Sequence, residues 1–261
     1  MPIQCDGDFT RPTQRDFGAI SYEVMKTVYE IHNELGRFFE EAVYKRELAR
    51  RLSGVELEVP VIVSHADFSK IFRLDVLVDR CGLFEFKAVD AISPKHRGQV
   101  YNYLLLSDLP HGKVVNVRSE KVSKEFVNCR YRLQDLRSPD IDVERFDFNI
   151  SGASFLYEHL VALIRDWGCG LDLTLYEEAI THFLGGDEEI LLPMSVYGRH
   201  GHIHDQKVPQ IAPGVSLRIT AFPDRLAAFE THAQRLITHT SLSAIHWANI
   251  TNKAVRFATI Q

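Results

Sequence analysis

The sequence predicts an α/β protein. An N-terminal α/β unit over residues 1–145 has the order α, β, β, β, α, β, and a smaller α+β unit follows over 146–261. Three observations carry this. Helical and strand periodicities alternate along the first half instead of segregating. Charge density then drops: residues 1–150 hold 46 charged side chains and residues 151–261 hold 19. Between them lies RSPDIDVE (137–144), a polar stretch with a proline, which marks a boundary near 140–150.

Each element has its own warrant. Ile20, Met25, Val28 and Ile31 recur at helical spacing and predict a helix over 18–33. Asn33 to Gly36 breaks it. FFEEAVYKRELARRL continues as a second helix over about 37–52. VELEVPVIVS (55–64) reads as a strand, with Pro60 placing it at an edge or bulge. IFRLDVLVD (71–79) and LFEFKAV (83–89) alternate and read as paired strands around the turn Arg80-Cys81-Gly82, Gly82 taking the left-handed conformation. A helix over about 95–107 and a strand over 113–119 complete the unit. Beyond the boundary, 154–167, 173–184 and 223–238 read as helices, the last with Pro223 in its first turn. EILLPMSVY, VSLRITAF, SAIHWANI and AVRFATI read as strands.

Composition excludes several classes. No apolar run approaches the ~18 residues of a membrane helix, and the N-terminus has no apolar signal region. The net charge of −5 removes any bulk electrostatic argument for nucleic-acid binding. Cys5, Cys81, Cys129 and Cys169 are widely spaced with no C-x-x-C, which reads as reduced thiols in a cytoplasmic protein.

The informative region is 71–89. On the first strand Arg73, Asp75, Leu77 and Asp79 share a face; on the second, Leu83, Glu85, Lys87 and Val89 do. With the turn at 80–82, Asp79 pairs with Leu83 and Asp75 with Lys87. Asp75, Glu85 and Lys87 then form one cluster. Two neighbouring carboxylates repel unless a cation joins them, and a hard ion such as Mg²⁺ does so through oxygen ligands. Such an ion neutralises charge on a scissile phosphate, and the lysine orients the nucleophile or stabilises developing charge. A solvated strand face with cross-strand ion pairs is the competing reading. Around this hairpin, His96, Gln99 and Tyr103 share one face of the following helix, and Glu41, Tyr44 and Leu48 repeat that spacing upstream. Glu41 is a third candidate carboxylate.

These residues resemble a known family. IHNELGRFFEEAVYKREL (31–48) is similar to the signature of the GxxExxY proteins of the PD-(D/E)xK nuclease superfamily. Ile31-His32, Leu35-Gly36, Glu41 and Tyr44 match, and Phe38 replaces the motif's glycine. RLDVLVD (73–79) resembles the family's Arg-Leu-Asp strand, FEFKAV (84–89) its Glu-x-Lys strand, and HRGQVYNY (96–103) the Gln-x-x-x-Tyr helix of RecB-type nucleases. The resemblance covers about residues 17–130. It implies a restriction-endonuclease-like core, with a mixed sheet flanked by helices, and metal-dependent hydrolysis of phosphodiesters, DNA ahead of RNA, in DNA processing or defence. It implies that Asp75, Glu85 and Glu41 bind Mg²⁺ or Mn²⁺, that Lys87 positions the attacking water, and that Gln99 orients water or backbone. Tyr103, His96, Tyr44, Lys45 and Arg73 are the candidate substrate contacts. Lys45, Arg46, Arg50 and Arg51, or Lys121, Lys124, Arg130 and Arg132, are candidate phosphate tracks.

Residues 146–261 resemble no characterised family. RHGHIHD places His200, His202 and His204 at alternating positions; three imidazoles suit Zn²⁺, against a reading as partly exposed histidines without a metal. Trp167 and Trp247 read as core. This unit is expected to position substrate or a protein partner, or to form a homodimer. Two other functional classes stay open: a catalytically inactive nucleic-acid- or protein-binding module with the same fold, and a small-molecule enzyme using the histidines.

Overall fold

The structure is a computed structural model and describes residues 2–261. The chain divides into two compact units, the first ending at Leu133 and the second beginning at Gln134.

The first unit runs β1 (Ile3–Cys5), α1 (Gln14–Leu35), α2 (Glu41–Arg51), β2 (Val55–His65), β3 (Phe68–Val78), β4 (Gly82–Lys87), α3 (Pro94–Leu106), β5 (His111–Asn116) and β6 (Ser123–Asn128). The strands form one six-stranded sheet in sequential order. Neighbours are antiparallel except β4 and β5, which are parallel because α3 carries the chain across between them. The expected αβββαβ order is present, with β1 and β6 added at the two edges. Both are short, and β6 (SKEFVN) carries too little apolar periodicity to read as a strand.

α1 starts earlier than its apolar spacing predicts. Thr13 caps it, accepting from the Asp16 amide while Asp16 reaches back, so the polar residues 14–16 become helical. Phe17, Val24, Met25, Val28 and Ile31 bury one face of α1 against Val76, Val78, Phe84 and Phe86 of β3 and β4, joined by Tyr44 and Leu48 of α2. The odd-numbered residues of β4 therefore face the other way. There α3 packs, with the Val100 and Leu104 side chains closing on Gly112 of β5.

Pro60 lies one residue beyond the stretch of β2 that β1 covers, where Cys5 pairs with Val61, so it occupies a local edge. Nearby Glu58 has φ +55°, an irregular backbone position between the Leu57–Val76 and Val59–Leu74 pairs.

The β3–β4 hairpin departs from expectation. Val78 pairs with Gly82 and Leu77 with Leu83, so the loop is Asp79-Arg80-Cys81 and the register is displaced by two residues. Asp79 and Arg80, at φ +48° and +53°, take the left-handed conformations, and Gly82 does not. The turn is closed by the Cys81 amide donating to Val78 O at 3.1 Å, and the Asp79 amide is drawn away to Gly54 O at 2.9 Å. Gly82 is a packing glycine: an added Cβ would meet Ile20 Cγ2 at 2.9 Å. A two-residue displacement keeps every side chain on its face, so the cluster survives, but Asp75 now stands level with Glu85 instead of Lys87.

The second unit contains β7 (Asp140–Arg145), α4 (Ala153–Trp167), α5 (Leu173–Phe183), α6 (Asp187–Ile190), β8 (Leu191–Gly198), β9 (Gly201–Ala212), β10 (Val215–Thr220), α7 (Leu226–Thr238), β11 (Ala244–Ile250) and β12 (Ala254–Ile260). Its sheet has the order β7-β12-β11-β10-β9-β8. The stretch 137–144 is therefore not simply a linker, and the division lies upstream of 145. β7 is an edge strand with mostly exposed side chains, which explains its polar composition. α7 begins after Arg225, so Pro223 precedes the helix instead of occupying its first turn. Trp247 is buried beneath Phe229 of α7 at a ring distance of 4.5 Å, and Trp167 is buried beside Tyr176. All four cysteines are free. Among the described residues no helix is long and apolar enough to cross a membrane.

Candidate active site

The site forms where β3 and β4 part company. Asp75 lies one residue beyond the last backbone pair, Val76–Phe84. Its Oδ2 accepts from the Phe86 amide at 3.1 Å, standing in for a ladder carbonyl. Oδ1 accepts from Lys45 Nζ at 2.9 Å. Asp75 is thus fixed by one strand and one helix at once.

Glu85 faces the same side, with its side chain 1% exposed. Lys87, two residues along and on the same face, donates to Glu85 Oε1 at 2.6 Å. Glu85 Oε2 is buried, and among the described residues it has no hydrogen-bond partner. Leaving a charged oxygen so is costly, and burial, followed by repulsion from Asp75, pushes the Glu85 carboxyl up to about 7 against the pull of Lys87 and Lys45. Burial pulls Lys87 down, yet Glu85, Asp75 and Glu41 outweigh it and leave the ammonium above its ordinary range. Both groups hold their protons tightly, Glu85 chiefly because it is buried and Lys87 because carboxylates surround it.

Glu41 opens α2, where the helix N-terminus favours a carboxylate. Its Oε1 accepts from the Ala88 amide at 2.9 Å, next to Lys87. One turn on, Lys45 is only 8% exposed and donates to Glu58 of β2 as well as to Asp75. Burial lowers the Lys45 pKa, and the two carboxylates more than restore it. Four carboxylates (Glu41, Glu58, Asp75, Glu85) thus share two lysines. On α3, Gln99 Nε2 donates to the Tyr103 hydroxyl at 3.0 Å. Tyr103 packs edge-on to Phe72. Its phenol is raised by burial first and then by Glu85 and Asp75 across from it, which places α3 beside the carboxylates.

The remaining expected contacts fall elsewhere. Tyr44 is 1% exposed and its hydroxyl donates to Gly36 O at 2.6 Å, tying the end of α1 to α2. It is a core residue packed with Leu48 and the face of α1. Lys45 lies inside the cluster and not along a surface track. His96 Nδ1 accepts from the Ser93 amide at 3.1 Å and caps α3. Arg73 is exposed, opposite Pro60 and two residues from Asp75. Arg50 and Arg51 pair with Glu47, and Arg51 also with Glu34. Arg132 pairs with Asp108. Glu58 escaped the sequence reading. The alternation of Glu56 and Glu58 put a carboxylate on β2, but only the sheet order brings it level with Asp75.

The donor set suits a hard divalent ion: oxygen ligands, net negative charge and an orphaned buried oxygen. No three ligating side chains converge as a ready-made shell among the described residues; Lys45 and backbone amides engage Asp75 and Glu41. In the second unit, His200 lies in the β8–β9 turn and His202 and His204 are exposed on β9, with His202 paired to Asp205 at 2.9 Å.

Residues 18–129 match the family model of the PD-(D/E)XK nuclease superfamily. The match spans the whole cluster, agrees with the α/β core described above and points to nuclease activity in general; the second unit lies outside it. No curated protein and no solved structure matches the chain.

Proposed function

We propose that the first unit is a divalent-metal-dependent nuclease of the GxxExxY type that hydrolyses phosphodiester bonds, of DNA ahead of RNA, in cytoplasmic DNA processing or defence. The observation that carries this reading is the Glu85 carboxylate, buried beside Asp75 and Lys87 with one oxygen unpartnered. A bound cation would give that oxygen its missing partner. Asp75 and Glu85, with Glu41, would hold Mg²⁺ or Mn²⁺, which when bound neutralises charge building on the phosphate. Lys87 would orient the attacking water and stabilise the developing charge. Gln99 and Tyr103 would line the substrate side, with Arg73 at its rim. The second unit would position substrate or a protein partner, or pair two copies.

The test is cleavage of labelled single- and double-stranded DNA and RNA with Mg²⁺, Mn²⁺ or EDTA, alongside Asp75→Ala and Lys87→Ala proteins. Metal-dependent cleavage lost in both variants supports the reading. Equal cleavage by Asp75→Ala sinks it. A second reading, a non-cutting nucleic-acid- or protein-binding module, is favoured by one feature: Lys45 already neutralises Asp75. Folded protein that neither binds Mn²⁺ nor cuts any substrate would support that module.

A further inference from the structure

On the opposite face of the same sheet lies a groove of about 610 Å³ between α1 and the β5–β6 edge. The face follows from the pairing. Lys113 pairs with Phe84 on one side and Phe126 on the other, whereas Glu85 pairs with Val114. Paired residues project together, so Lys113 and Phe126 point away from the carboxylate cluster.

Two features of the groove point to a ligand. The first is Lys113. It is 3% exposed, its ammonium meets the Ser21 hydroxyl and the face of Phe126 at 4.0 Å, and among the described residues no carboxylate pairs with it. Burial first, and then Lys124, lowers its pKa to about 8. A buried cation without an anion is expensive to keep. The second is the run of exposed rings: Tyr22 is 69% exposed, Phe126 57% and Tyr29 37%. Lysines 26, 113 and 124 share the groove with them, and Glu30 is its one acidic side chain. The net charge of the lining is positive on a chain of net charge −5. The volume lies within the ~300–1,000 Å³ of small-ligand sites.

Among the described residues no carboxylate pairs with Lys113 or Lys124; Lys124 donates to the Tyr29 hydroxyl and lies over its ring, as Lys113 does over Phe126. Rings interleaved with lysines that lack an anionic partner match a ligand that alternates flat bases and phosphates. A purely acidic peptide would engage the lysines and leave the rings unused. We propose that this groove binds nucleotide units, with the phosphate on Lys113 and Lys124 and a base stacked on Tyr22, either as a free nucleotide or within a single strand. The proposal stands apart from chemistry at Asp75, since binding is read without cleavage.

The experiment uses the full chain in EDTA. Fluorescence anisotropy follows a labelled oligothymidylate, with thymidine monophosphate and polyglutamate as competitors. Tyr22→Ala should weaken oligonucleotide binding about tenfold or more, the loss of one base stack. Lys113→Met and Lys124→Ala should each reduce the slope of log affinity against log salt by roughly 0.7. Displacement by the monophosphate at comparable concentration identifies a free nucleotide as the ligand; displacement only by oligonucleotide identifies a single strand. Undiminished binding in both Tyr22→Ala and Lys124→Ala, equal displacement by polyglutamate, or no binding of either ligand overturns the proposal. Tyr22 and Lys124 are exposed, so loss of folding does not confuse the result.

Discussion

Lys45 Nζ lies 2.9 Å from Asp75 Oδ1, and the same ammonium also holds Glu58. A helix lysine therefore occupies the oxygen that the metal reading assigns to a cation. An ammonium and a divalent ion compete for that oxygen. Charged hydrogen bonds contribute about 1.5–3 kcal/mol, so removing Lys45 should favour the ion by roughly ten- to a hundredfold. Mn²⁺ titration by calorimetry should show tighter binding to Lys45→Met than to the parent. Weaker binding would mean that Lys45 orients Asp75 for the ion instead of competing with it.

Glu85 predicts a pH dependence of stability. Its folded pKa, about 7, lies above its ordinary 4.5. A raised carboxyl pKa opposes folding once the unfolded chain has ionised. The penalty is absent below about pH 4.5, grows between 4.5 and 7, and is full above 7. At ~1.4 kcal/mol per pH unit it reaches roughly 3 kcal/mol. Glu85→Gln should accordingly stabilise the metal-free protein against urea at pH 8 and lose that advantage near pH 4. A variant less stable than the parent at pH 8 would contradict the assigned burial cost. In the parent, Mn²⁺ affinity should fall as pH drops below 7, because the proton competes for the same oxygens.

Tyr44 separates packing from recognition. Its hydroxyl donates to Gly36 O from a buried site. Tyr44→Phe removes that bond and keeps the ring. Urea denaturation should show a loss of about 1–3 kcal/mol, the range for one buried hydrogen bond with its acceptor left unsatisfied, while KM for any cleaved substrate stays unchanged. A raised KM with unaltered stability would return Tyr44 to the substrate side.

Much of the site was legible because strand alternation is local. The side shared by Asp75, Glu85 and Lys87 follows from period two and survives the displaced register. What was not legible depended on contacts distant in sequence. The hairpin register turned on the Asp79 amide bonding Gly54, 25 positions earlier. The roles of Lys45 and Tyr44 depended on which face of α2 meets the sheet. Charge type suggested a surface lysine, yet two carboxylates draw it inward. Glu58 joins the cluster only through the order of β2, β3 and β4. β7 was hidden because an exposed edge strand has the composition of a linker.

Lys87 and Asp75 should fail in different ways. Asp75 is a proposed ligand, and its loss also frees the Phe86 amide and leaves Lys45 to Glu58 alone. Asp75→Ala should therefore abolish Mn²⁺ binding and cleavage together. Lys87 holds Glu85 Oε1 but leaves Oε2 untouched, so Lys87→Ala keeps the carboxylates available to an ion. Removing one group that stabilises developing charge costs about 10²–10³ in kcat. Lys87→Ala should thus lose that much turnover while Mn²⁺ affinity holds or rises, since a competing cation has gone. Calorimetry and single-turnover cleavage on the same preparations separate the two effects. Equal loss of Mn²⁺ affinity in both variants would make Lys87 a support for Glu85 rather than a participant in the reaction.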